Sequence, residues 1–117
     1  MNGFTVTRTD KEEIAILYLT GFLDLHTVPK FEQAIQALLD EKKYKILVNL
    51  KDLDYISSAG LGVFMGFIEE IRENGGDIKL SNLSQRVFKV FDLLGFPALF
   101  KIFDDEKEAL SQFNSTN

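Results

Sequence analysis

One junction restricts the fold more than any other part of the chain. The run Lys45-Ile46-Leu47-Val48-Asn49-Leu50 is apolar on both faces of an extended backbone, as a strand in the middle of a sheet with helical cover would be. Soon after it, Leu61, Phe64, Met65, Ile68 and Ile71 recur at helical spacing. The stretch Asp54-Tyr55-Ile56-Ser57-Ser58-Ala59-Gly60-Leu61-Gly62-Val63-Phe64 therefore has to carry a buried strand through a short acidic loop into a helix. Two serines fall at the helix start, where a hydroxyl accepts from first-turn N–H groups that have no partner inside the helix. One serine suffices as the cap. The other keeps a hydroxyl beside unpaired amides and the positive helix end, where added negative charge, a phosphate for example, is well tolerated. The same pair also reads as a plain cap and nothing more.

Strands and helices alternate on either side of this junction. Residues 4–8 and 14–20 are strand-like and flank the polar turn Thr9-Asp10-Lys11-Glu12-Glu13, which predicts an antiparallel hairpin ended by Gly21. Thr27 can cap a helix with Pro29 in its first turn and an apolar stripe of Val28, Phe31, Ile35, Leu38 and Leu39, with Lys42 and Lys43 suiting its end. The central helix should run to about Glu73 and stop at Asn74-Gly75-Gly76. Residues 77–81 give a short strand, and Ser84 caps a helix bearing Val87, Val90, Phe91 and Leu94, closed by Gly95 and Pro97. Residues 99–103 suggest a last strand. Asp105 with Glu108 resembles a capping box for a final helix carrying Ala109, Leu110 and Phe113, and residues 114–117 are expected to fray. This order predicts an α/β fold: a mixed, mostly parallel sheet with an antiparallel N-terminal strand and about four helices. Its working surface should lie off the carboxyl ends of the parallel strands, in residues 21–27 and 52–58, two segments expected to meet.

Length and composition narrow the function. A chain of 117 residues is read as one domain spanning 1–117, with no room for a linker. There is no cysteine and one histidine, so thiolate metal sites, disulfides, thiol catalysis and multi-histidine metal sites are excluded. The longest apolar run, residues 59–68, is far shorter than the roughly 20 residues of a membrane span, and residues 1–10 are polar and alternating. A soluble, cytoplasmic monomer without membrane contact is the expectation. The net charge of −5, spread along the chain with no basic cluster, argues against nucleic acid and points to protein partners.

Several residues invite chemistry, each beside a plainer reading. Ala59, Gly62 and Gly66 make a bare strip on a helix that glycine weakens by up to about 1 kcal/mol per residue, so something must approach it closely. That something is either the protein's own sheet or helices, or a partner docking across the helix start. Gly60-Leu61-Gly62 after a strand suggests a dinucleotide site, but the next glycine, Gly66, falls one residue late and no phosphate-loop lysine follows. Asp24, Asp52 and Asp54 could gather as a magnesium site or be solvated loop carboxylates. His26 has no serine or acidic partner at a diagnostic spacing and reads as a surface residue. Phe88, Phe91, Phe96, Phe100 and Phe103 are core candidates, some of which could surface as a contact patch. Asn114-Ser115-Thr116 fits a glycosylation sequon but carries little weight without a signal peptide.

Taken together, Leu19-Thr20-Gly21-x-Leu23-Asp24 and Asn49-Leu50-x-Asp52-Leu53-x-Tyr55-Ile56-x-Ser58-x-Gly60-Leu61-Gly62 resemble the STAS domain of bacterial anti-sigma factor antagonists, and the later elements fit its order. The resemblance implies a non-enzymatic switch without cofactor or metal. In that family the unphosphorylated protein binds an anti-sigma factor that is also a serine kinase, freeing a sigma factor. The kinase phosphorylates the antagonist and a serine phosphatase resets it. Matched residue by residue, the phosphorylated position is Ser58, Asp24 is the acidic residue beside it, and Ser57, Ala59, Gly60, Gly62 and Gly66 belong to the partner-binding surface. Ser57 stands where the family often has Asp, Ala59 replaces a second hydroxyl, and Phe22 replaces a common Glu. Two rivals remain: a small-ligand or nucleotide module using the same helix start, and a constitutive scaffold or transporter subunit in which Ser58 is only a cap.

Overall fold

The two apolar faces of residues 45–50 are met by making them the middle of a sheet. The computed structural model describes residues 3–114. It contains β1 (Thr5–Lys11), β2 (Ile14–Leu23), α1 (Val28–Asp40), β3 (Lys45–Ile56), α2 (Ser58–Glu73), β4 (Asp77–Ser81), α3 (Gln85–Leu93), a 3-10 turn (Phe96–Ala98), β5 (Ile102–Phe103) and α4 (Glu106–Asn114). The strands lie in the order β1-β2-β3-β4-β5, with β1 antiparallel to β2 and the rest parallel. Each parallel connection steps the same way across the sheet, so right-handed crossovers place α1, α2 and α3 on one face. Their buried residues form one core with Leu17, Leu19, Ile46, Val48 and Leu80. The opposite face carries α4, whose Ala109 and Phe113 pack on Ile14, Ile16 and Leu47.

Phe64 of α2 is the hub of the larger core. Its ring meets Phe31 at 5.1 Å and Phe91 and Phe100 at 5.9 Å each, all edge-on, and so ties α2 to α1, to α3 and to the segment before β5. Of the phenylalanines expected inside, Phe91, Phe96 and Phe100 are buried, Phe103 is half-buried and Phe88 is exposed.

Several boundaries depart from those the sequence suggests. β1 continues to Lys11, leaving Glu12 and Glu13 as the turn, with Glu12 at φ 57°. Gly21 does not end the hairpin but sits inside β2 at φ 101°, where a side chain would strike the Gly3 carbonyl. The acidic loop 52–54 is strand: β3 runs on to Ile56, pairing with β2 alone after β4 stops at Ser81, opposite Asn49. The last strand shrinks to Ile102–Phe103. Residues 115–117 of the expected frayed tail lie outside the described residues, and the backbone of α4 extends through residue 114.

Candidate functional site

The carboxyl ends of β2 and β3 lie side by side, pairing Phe22 with Tyr55 and Leu23 with Ile56. The Ser57 N–H extends that ladder by donating to the Leu23 carbonyl at 3.0 Å. Residues 21–27 and 52–58 therefore meet, as strand ends and not as two loops. The chain then turns directly into α2.

The two serines divide the work at this turn. Ser57 is extended (φ −99°, ψ 173°) and caps α2, its Oγ accepting from the Gly60 N–H at 3.4 Å while its carbonyl accepts from the Leu61 N–H at 3.2 Å. Ser58 is the first helical residue and is exposed, and its hydroxyl makes no hydrogen bond among the described residues. The N–H groups of Ser58 and Ala59 precede any intrahelical acceptor, so the hydroxyl stands next to unsatisfied donors at the positive helix end.

Asp24 closes the other side of the site. Its Oδ1 accepts from the N–H of His26 at 2.9 Å and of Thr27 at 3.2 Å, while its own N–H donates to Thr27 Oγ1 at 2.9 Å. The Thr27 hydroxyl in turn donates to the Phe22 carbonyl at 2.8 Å. Thr27 stands at the start of α1 yet its side chain caps nothing there. Thr27 Oγ1 is spent holding the turn, and the first helical N–H, that of Val28, donates to the Asp24 carbonyl at 2.9 Å. Among the described residues Asp24 Oδ2 has no hydrogen-bond or ion-pair partner.

The small residues of α2 fall into two groups. Gly60 is buried, and a Cβ there would lie 2.8 Å from Leu23 Cγ and 2.9 Å from Ile56 Cγ1. Gly62 and Gly66 are exposed, and a Cβ at either would meet nothing within 4 Å. Ala59, just before Gly60, is half-buried. The bare strip at Gly62 and Gly66 thus faces outward and is not used by the protein's own core. The ends of β2 and β3 carry a feature that hydropathy alone gave no reason to single out: Phe22 and Tyr55, 37% and 43% exposed, in ring contact at 5.8 Å, with Leu25 exposed nearby in sequence. A cross-strand aromatic pair left in solvent at a strand end is the type of anchor that protein interfaces bury.

Charge at the site is acidic and unpaired. Asp52 and Asp54 are exposed, neither forms an ion pair among the described residues, and no three His, Asp or Glu side chains there gather as a metal would require. The groups with shifted acidity lie elsewhere. Burial, reinforced by Glu106, pushes the Tyr18 phenol up on the α4 face. At the far end of β1 the Arg8 guanidinium holds Asp10 and Glu41 below their ordinary range. No described helix is long and apolar enough to cross a membrane.

Known proteins share this arrangement. Residues 5–109 match the family described as the STAS domain. An anti-sigma-B factor antagonist of Staphylococcus epidermidis is 29% identical over 102 residues, covering 87% of this chain and 92% of that protein. One from Bacillus subtilis is 33% identical over 84 residues, covering 72% and 76%. The anti-sigma factor antagonist SpoIIAA in its unphosphorylated form superposes with a TM-score of 0.80 at 25% identity, over 98% of this chain and 99% of that one. The phosphorylated form of SpoIIAA from Bacillus gives 0.71, again at 25% identity, over 95% and 99%. Because the match runs from the first residue of β1 into α4 and includes the whole β3–α2 junction, this chain belongs to the STAS-domain family of anti-sigma factor antagonists.

Proposed function

We propose that the chain is a non-enzymatic interaction switch: unphosphorylated, it binds an anti-sigma factor that is also a serine kinase and so frees a sigma factor. Phosphorylation of Ser58 ends that contact, and a serine phosphatase restores it. The observation that carries this reading is the division between the serines. Ser57 alone meets the capping need of α2, so the Ser58 hydroxyl is left exposed and without a hydrogen bond among the described residues. A kinase needs such a hydroxyl, and the resulting phosphate would meet the open amides of the first turn. The docking surface would combine Asp24 and the open strip at Gly62 and Gly66, with Gly60 acting underneath by letting α2 close on Leu23. Relatives named anti-sigma factor antagonists, one of them known in both phosphorylation states, support the same reading.

The test is to capture the partner from native extract on the purified chain, add ATP and magnesium, and follow intact mass and release. Wild type should gain one phosphate on Ser58 and dissociate, whereas Ser58→Ala should gain none and stay bound. Phosphate mapping to Ser57, or release of Ser58→Ala at the wild-type rate, would overturn the assignment.

A further inference from the structure

A second site lies away from Ser58. Between α3, the 3-10 turn and β5 the surface folds into a groove of about 880 Å³ floored by Leu83, Phe88, Pro97, Phe100, Ile102 and Phe103. That volume falls within the roughly 300–1,000 Å³ of small-molecule sites, and the composition, an apolar floor with few polar groups, is theirs as well. The groove opens where β4 and β5 end, since Leu83 lies two residues past β4 and Asp104 directly follows β5, and the carboxyl ends of parallel strands are where α/β sheets hold ligands.

The polar groups at its rim define the ligand. Lys89 and Lys101 both line the groove, and among the described residues neither ammonium makes an ion pair or hydrogen bond. Asp104 is the one carboxylate there and Gln85 adds a neutral amide. The rim is therefore net positive on a chain whose overall charge is −5. An apolar trough edged by two unpaired cations suits a molecule with an apolar body and one acidic end. A bound peptide strand fits less well, because the edge strand β5 has two residues and gives too short a ladder for strand addition. A lipid surface fits less well too, because the trough is concave and an anionic bilayer repels an acidic protein.

We infer that this groove binds a small amphipathic carboxylate, a single acyl-chain acid, with its chain over Phe88 and Pro97 and its carboxylate met by Lys89 and Lys101. The site is separate from the Ser58 surface and does not depend on the switch. The probe is decanoate below its micellar concentration, titrated into the isotope-labelled full chain and followed by amide shifts. Saturable shifts confined to residues 83–89 and 96–104 are expected, with affinity at least about tenfold lower for decyltrimethylammonium, which has the same chain and the opposite charge. Lys89→Glu and Lys101→Glu, surface changes whose folding the same spectra report, should each weaken decanoate binding, and together by more. No saturable binding, equal affinity for the cationic amphiphile, unchanged affinity in the double variant, or binding only to phosphatidylglycerol vesicles would each overturn the assignment.

Discussion

The side chain of Leu23 fills the space that a Cβ on Gly60 would need, its Cγ lying 2.8 Å from that position. The end of β2 and the first turn of α2 are thus in contact through the absence of a side chain, with Asp24 the next residue after Leu23. Gly62, two residues on, has no such neighbour.

These two glycines should respond in opposite directions to the same change. Gly62→Ala gains helix propensity of up to about 1 kcal/mol with no clash to offset it, so its denaturant midpoint should rise. Gly60→Ala gains the same propensity but has to push apart Leu23 and Ile56, an overpacking cost of about 1–3 kcal/mol, so its midpoint should fall or at best hold. Gly62→Leu should keep the fold and weaken partner capture by blocking close approach. Loss of the folded state in that variant would place the strip against the protein's own core.

The serines should separate in the same way. Ser57→Ala removes the cap of α2 and should cost about 0.5–1 kcal/mol, toward the lower end of the capping range because the bond to Gly60 is long at 3.4 Å. Ser58→Ala removes no bond and places a better helix former at an exposed first-turn position, so stability should change by less than about 0.5 kcal/mol in either direction. Equal losses in the two variants, read from urea melts, would mean that the serines share the cap.

How much of this was legible in the sequence depends on whether the cause was local. The end of α2 at Glu73, the strand at residues 77–81 and the Ser84 cap are set by neighbouring residues, namely glycines, a serine and an apolar period, and the structure places them where those signals do. The second half of β3 was not legible. Lys51, Asp52 and Asp54 read as loop, yet they lie on a strand that has outrun β4, so their side chains reach water while Leu53 and Ile56 stay buried. Local propensity cannot report where a neighbouring strand stops. The turn that fixes Asp24 was hidden for a related reason: Thr27 stands in the capping position, and only the fold shows its hydroxyl turned back to the Phe22 carbonyl. The exposure of Phe22 and Tyr55 is equally a property of the sheet, on a face that α4 covers elsewhere.

Away from the site, β1 is clamped to the end of α1 by charge. Arg8 Nη1 and Nη2 each donate to Glu41 at 2.8 Å, and Nε donates to Asp10 at 2.8 Å. Hydrogen bonds from Arg8 are the leading cause that lowers both carboxyls. A carboxyl held low in the folded state contributes stability that is complete above its unfolded value and is lost as pH falls through the folded one. The difference in stability between wild type and Arg8→Met should therefore be constant from neutral pH down to the ordinary carboxyl values of 3.8 and 4.5, and shrink below them. It should also shrink in high salt, since the groups are exposed. A difference that grows on acidification in paired urea melts would contradict the sign.

The remaining prediction concerns how a phosphate on Ser58 would end binding when its own position favours it. The group adds about −1.5 to −2 charges at neutral pH beside the free amides of Ser58 and Ala59, a contact at a helix start of about 0.3–1 kcal/mol. Asp24 opposes it and cannot swing away, because its Oδ1 is fixed by the amides of His26 and Thr27 at 2.9 and 3.2 Å. Two opposed terms of similar modest size give no net force to remodel a helix whose far face is locked by Phe64 into the rings of Phe31, Phe91 and Phe100. Both forms should then share one backbone, and release should come from steric bulk and from charge desolvated within the partner interface, where an unpaired anion is costly. Ser58→Asp, with less charge and fewer acceptor oxygens, should reproduce the defect only in part, and more strongly in low salt if repulsion dominates. Amide shifts of the two forms decide between surface and conformational switching. Changes confined to the neighbourhood of residues 24 and 58 are expected, whereas shifts spreading along α3 would mean that the phosphate moves the fold and that the surface mechanism is wrong.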